Sequence, residues 1–180
     1  SKYNFECVEI GNFSKEETKS VVEKIAGKVG SEVVNLIYSL TLGHPYYVSK
    51  IAKKFKETGS VKKAFVLETL SKDGEIYRYC DAVLSEAFSR ARGKTLLEVI
   101  LNVLSRYDKL RLTEISRKIF RSAPVTKSLL TRLVEVELVS KSDNFYAIND
   151  SVLRYFISKR NSGISFEPDA ELIKRFEEEL

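Results

Sequence analysis

Methionine, glutamine and tryptophan are all missing from the 180 residues, and cysteine, histidine and proline number only two, one and three. Each shortage excludes something. The two cysteines, Cys7 and Cys80, stand far apart with no C-x-x-C spacing, and His44 is the single histidine, so neither a zinc site nor a disulfide framework is expected. No apolar run reaches the roughly 18 residues needed to cross a bilayer, and no signal-peptide pattern opens the chain. A soluble, cytoplasmic protein without membrane partners is expected. The lack of Met, with a start at Ser1-Lys2-Tyr3, suggests a piece of a longer protein. The lack of Gln beside abundant Lys, Arg and Glu fits a thermophile's avoidance of labile residues.

Catalytic signatures are missing too. No G-x-x-x-x-G-K-[ST] occurs, so a phosphate-cradling loop and its lysine are absent from these residues. No strand ends in the acidic pair that would hold Mg²⁺ for phosphoryl transfer. No Cys or Ser is placed in sequence to suggest a nucleophile and its base. No catalytic residue and no metal ligand is therefore expected in this chain.

What is present is enough apolar sequence for one ordinary domain or two small ones: 43% hydrophobic residues, with 31% charged and a net charge of +5. Phe5 to Ile10 reads as a short strand ended by Gly11-Asn12. Ser14-Lys15-Glu16-Glu17 is a capping box that opens a helix to about Lys28, with Val21, Val22, Ile25 and Ala26 on one stripe. Gly27 and Gly30 break it, and Ser31 is expected to cap a second helix through Leu40. Pro45 fits the first turn of a third helix, where a missing N–H costs nothing, running to Gly59. A fourth starts after Ser60. A fifth spans about Gly74 to Arg92, with Ile76, Tyr79, Cys80, Val83, Leu84 and Phe88 on its apolar side.

Beyond Gly93 the pattern changes. Leu96 to Leu104 is a strongly apolar helix, Arg111-Leu112 is short and extended, and Thr113 is expected to cap Glu114 to Phe120. Ser122-Ala123-Pro124 begins a helix to about Val136. Leu138 to Lys141 and Phe145 to Ile148, joined at Ser142-Asp143-Asn144, read as a β-hairpin. Helix, short strand, helix, helix, hairpin is the order of a winged helix-turn-helix. The fold class expected is mainly α: a helical bundle, then a winged helix with a small β-hairpin wing. In the tail, Asp169 begins a helix with Ala170, Leu172, Ile173 and Phe176 apolar. Its closing Glu177, Glu178 and Glu179 oppose the macrodipole, so its last turn is expected to fray.

Gly43-His44-Pro45-Tyr46 sits between two of these helices. Taken alone it is a turn, although a helix start approached by glycine also suits an anion. With its surroundings the block LTLGHPYYVSKIA resembles the lid motif of the archaeal ATPase family, a STAND branch of the AAA+-type NTPases. NFSKEET, ILNVLSRYDKLRLTEISRKIF and YAINDSVLRYF follow in the order of that family's lid and C-terminal winged helix, over about residues 5–160, with Ser151 where the family has Pro.

The resemblance implies four parts: residues 1–12 ending an absent NTPase core, 13–93 a helical lid, 94–160 a winged helix, and 161–180 a tail. It implies that Gly43, His44, Pro45 and Tyr46 lie over ATP or ADP held jointly with a core, its own or a separate one. The parent family hydrolyses ATP, whereas these residues would sense the nucleotide and transmit its state. Origin-recognition AAA+ proteins share the element order but carry an arginine, in a Gly-Asp-x-Arg setting, where this chain has Gly43 to Tyr46.

The alternative is a DNA-binding winged-helix regulator or an origin-recognition-like replication fragment. In the helix from Val125, Leu130 and Leu133 face the core with Thr126 or Leu129. Lys127, Ser128, Thr131, Arg132 and Glu135 then point outward, and Lys118, Arg121 and the wing's Lys141 extend a basic surface toward double-stranded DNA. Glu135 and Glu137 oppose deep docking in a groove. Glu137 also stands where winged helices commonly place glycine.

Overall fold

The computed structural model describes residues 11–160 and 170–180. The strand expected over Phe5 to Ile10 lies outside them, as do Cys7 and the segment joining the tail. Within the described residues the protein is mainly helical with one small antiparallel sheet, divided into two compact units between Val61 and Lys62.

The first unit holds α1 (Lys15–Ala26), α2 (Ser31–Thr41) and α3 (Pro45–Thr58). The capping box at Ser14 forms: its hydroxyl accepts the Glu17 N–H at 3.2 Å, and the Glu17 carboxylate accepts the Ser14 N–H at 2.7 Å. Gly27 ends α1 and Gly59 ends α3, both at positive φ. The cap of α2 falls on Gly30, and Ser31 is already helical. Thr18 and Val22 of α1 are buried, as are Val34 and Ile37 of α2 and Tyr47, Val48, Ile51 and Ala52 of α3. A three-helix unit closes on these few side chains, the Val and Ile among them each contributing roughly 1.5–3 kcal/mol of burial.

The second unit begins with α4 (Val61–Leu70) and α5 (Glu75–Ala91), so α5 packs with later elements, α6, α8 and α9. The buried Glu68 carboxylate accepts the Glu75 N–H at 2.9 Å, giving α5 an acidic group at its N-terminus. Ile76, Cys80, Leu84, Ala87, Phe88 and Ala91 are its buried stripe, and Tyr79 stands outside it. Next come α6 (Lys94–Leu104), β1 (Leu110–Arg111), α7 (Leu112–Lys118), α8 (Ala123–Glu135), β2 (Ser140–Ser142), β3 (Phe145–Ala147) and α9 (Ser151–Arg160). The sheet order is β1-β3-β2, with Leu110 opposite Tyr146 and Arg111 opposite Phe145. Thr113, expected as a cap, lies inside α7. The Glu114 carboxylate instead reaches back to the Arg111 N–H at 2.7 Å.

Among the helix ends that use positive-φ residues other than glycine, those of α7 and α8 share one pattern. At the end of α7 the Arg121 N–H bonds to Ser116 O and the Phe120 N–H to Arg117 O, with Phe120 at φ +53°. After α8 the Leu138 N–H bonds to Leu133 O and the Glu137 N–H to Val134 O, with Glu137 at φ +63°. These are Schellman closures, the turn in which glycine is favoured. Glycine's usual place thus keeps its backbone shape and takes a glutamate.

The tail helix α10 (Ala170–Glu178) docks by burying Phe176 with Val66 and Leu70, beside Tyr77, Tyr155, Leu172, Ile173 and Leu180. Of the three glutamates expected to loosen its end, Glu179 meets cations, and the backbone at Glu177 meets another. Lys159 pairs with Glu179, Arg175 approaches Glu179 at 3.5 Å, and Lys62 donates to the Glu177 carbonyl at 3.1 Å.

Candidate functional site

The Gly43-His44-Pro45 turn follows two consecutive left-handed residues, Leu42 at φ +49° and Gly43 at φ +76°. Leu42 closes α2 through its N–H to Tyr38 O. The His44 N–H then bonds to Thr41 O at 3.0 Å, and the Thr41 hydroxyl is anchored on Ile37 O at 2.7 Å. His44 is the N-cap of α3 and Pro45 its first residue, as expected from proline's fixed φ. No acidic residue occupies the first turn of α3, so the positive end of its dipole is not cancelled from within the helix.

The bare side of Gly43 is not open. A Cβ there would lie 2.1 Å from the carbonyl oxygen of Phe13, and the Phe13 N–H donates to Gly43 O at 2.8 Å. Glycine at this position therefore lets the turn close on the chain that enters α1. The His44 ring packs on Tyr47, centroids 4.3 Å apart. Its Nδ1 is buried without a hydrogen-bond partner among the described residues. Lys50 lies 5.2 Å from the ring centre of Tyr46.

In the second unit, Thr126, Leu129, Leu130 and Leu133 are buried, so both alternatives, Thr126 and Leu129, face the core. Lys118, Arg121, Lys127, Ser128, Thr131, Arg132 and Lys141 are all exposed, but the fold does not gather them at one place. Lys127 and Lys141 line a cleft of about 480 Å³ together with Arg111, Leu112, Thr113, Asn144 and Tyr146. The Arg111 guanidinium sits 5.1 Å and the Lys109 ammonium 4.7 Å from the ring centre of Phe145, and Lys141 6.0 Å from that of Tyr146.

The other cations are occupied elsewhere. Lys118 donates to the Tyr107 hydroxyl at 2.7 Å and lines a separate hollow of about 310 Å³ with Arg106 and Tyr107. Arg121 donates to Phe120 O at 3.0 Å, and Arg132 turns to Arg92 O at 3.0 Å. Arg111 and Asn144 escaped the sequence reading. Alternation marks Arg111 as the exposed residue of β1, yet only the pairing of β1 with β3 brings it beside the hairpin.

Among the described residues no group of His, Cys, Asp and Glu could hold a metal, and no helix is long and apolar enough to cross a membrane. No protein-family model matches the chain, and no curated protein matches it. Among solved structures, a Walker-type ATPase of Pyrococcus abyssi is similar: 16% identity, TM-score 0.63, over 80% of this chain and 40% of that one. The chain thus shares the fold of part of that ATPase and spans 40% of its length.

Proposed function

We propose that these residues are the nucleotide-sensing lid and winged-helix portion of an archaeal STAND-type ATPase, relaying nucleotide state to an NTPase core or another partner. The observation that carries this is the hydrogen bond from Phe13 N–H to Gly43 O, 2.8 Å long. A phosphate that moves the Gly43-His44-Pro45 turn would also move residue 13, which in this reading is where the chain leaves the core. The uncancelled dipole at the start of α3 suits an ATP or ADP phosphate. Likeness to part of a Walker-type ATPase supports the reading at the level of fold. The order α6, β1, α7, α8, hairpin supports the winged helix. Hydrolysis would belong to the core, since these residues carry no P-loop.

The test is calorimetric titration of ADP into the ATPase that holds core and lid together, with and without Pro45→Ala. Loss of the preset backbone should weaken ADP about two- to fivefold, the equivalent of about 0.4–1 kcal/mol, without changing the fold. Unchanged affinity makes the turn only a turn and ends the proposal.

A second reading, a DNA-binding regulator or origin-recognition-like protein, is favoured by one observation. Arg111, Lys127 and Lys141 converge on a cleft with no acidic side chain in its lining.

A further inference from the structure

We infer that the cleft between β1, α8 and the hairpin docks the sugar–phosphate backbone of duplex DNA, without reading bases; this rests on the second reading above. Three elements each supply one cation: Arg111 from β1, Lys127 from α8 and Lys141 from β2. The Thr113 hydroxyl and the Asn144 amide add neutral donors. Phe145 and Tyr146 lie under Arg111, Lys109 and Lys141, which holds long side chains extended and lowers the entropy lost when they bind. Glu114, next in sequence to the cleft-lining Thr113, is engaged by the Arg111 backbone N–H.

The outward face of α8 is poorly suited to reading bases. Arg132, the residue best able to recognise guanine, donates to Arg92 O, and the Thr131 hydroxyl to Lys127 O at 3.0 Å. Glu135 and Glu137 follow, exposed, where a phosphate backbone would be repelled. Attraction is therefore concentrated at the hairpin side, and contacts there go to phosphates, which fix position and carry no sequence. A linear polyanion suits cations spread over three elements better than a single free phosphate does. Lys109, exposed beside the cleft, extends the same strip.

The experiment is anisotropy of two labelled duplexes of unrelated sequence, titrated with the 180-residue chain over a salt series. Inorganic pyrophosphate serves as a competitor. Each phosphate contact contributes about 0.9 to the log–log salt slope, so three contacts predict at least about a 40-fold loss between about 50 and about 200 mM salt. Arg111→Gln, Lys127→Gln and Lys141→Gln should each flatten the slope by about 0.9, and Lys127→Arg and Lys141→Arg should restore it. Arg132→Gln should leave the slope unchanged, and the two duplexes should bind alike. Circular dichroism checks that each variant folds.

If duplex binds but the slope follows Arg132→Gln and not the cleft variants, the cleft is refuted while DNA binding stands. A preference for one duplex refutes backbone docking in the same way. Displacement of duplex by micromolar pyrophosphate makes the cleft a small-phosphate site and overturns the inference. Absence of duplex binding at about 50 mM salt refutes both this inference and the second reading, since even non-specific binding appears near micromolar there.

Discussion

Replacing Gly43 by alanine tests whether this glycine is held by the chain packed against it or only by its own backbone angles. Two costs are superposed. Alanine at φ +76° costs about 1–2 kcal/mol, because a Cβ in the left-handed region crowds the following carbonyl. The same Cβ would stand 2.1 Å from Phe13 O, well inside the 3.0 Å that real Cβ atoms respect. Relief needs the Phe13 segment to move by nearly an ångström, which breaks its hydrogen bond to Gly43 O and loses about 0.5–1.5 kcal/mol more. The total is about 1.5–3.5 kcal/mol.

Gly59→Ala supplies the comparison within the same unit. Gly59 has φ +71° and nothing within 4 Å of its missing Cβ, so only the backbone cost applies, about 1–2 kcal/mol. Urea unfolding followed by far-UV circular dichroism suits a chain without tryptophan. Amide exchange at Phe13 reports the bond directly, and should rise about tenfold or more in Gly43→Ala while staying slow in Gly59→Ala. If the two variants cost the same and Phe13 remains protected, the turn is not fastened to the start of α1, and the coupling proposed through it fails.

Glu137→Gly should stabilise the second unit by up to about 1 kcal/mol, since glycine adopts the φ of +63° without strain; a lower urea midpoint would refute the Schellman assignment. Docking of α10 should depend on pH. The hydrogen bond from Lys159 holds the Glu179 carboxyl below its usual 4.5, so its contribution is complete above that value and is lost as pH falls through the lowered one. Burial, with the Glu179 charge second, pushes the Tyr155 hydroxyl above its usual 10.0, so docking also weakens as pH rises beyond 10.0. Amide exchange of residues 170–178 should therefore be slowest between these limits and fast in Phe176→Ala, whose lost burial is worth about 3–5 kcal/mol; flat exchange from acid to alkali would refute the clasp.

Much of the fold was legible because it rests on local chemistry. Ser14 with Glu17 and Gly59 at the end of α3 satisfy backbone groups within one turn, and Pro45 presets the φ that starts α3, so a window of a few residues contains the cause. The buried stripe of α8 came from spacing alone. The expected caps at Ser31 and Thr113 slipped by one or two positions, since Gly30 and Arg111 already take extended angles there. Helix α9 was missed as an element although its signal is present. Asp150 accepts the Leu153 N–H at 2.8 Å, and Val152, Leu153, Phe156 and Ile157 follow at helical spacing.

The candidate sites divide along the same line. That a turn occurs at Gly43 is local and was read correctly. What demands glycine there is Phe13, far away in sequence, and no window spans both. The basic surface shows the converse error. Spacing correctly exposed Lys127, Thr131 and Arg132 on α8, but exposure is not availability. A carbonyl at the α5–α6 corner, forty positions earlier, claims the Arg132 guanidinium. Meanwhile the antiparallel register of β1 on β3 carries Arg111 to the hairpin. Helix periodicity tells which side a charge leaves from; only tertiary pairing tells where it ends, and a binding cleft is made of the ends.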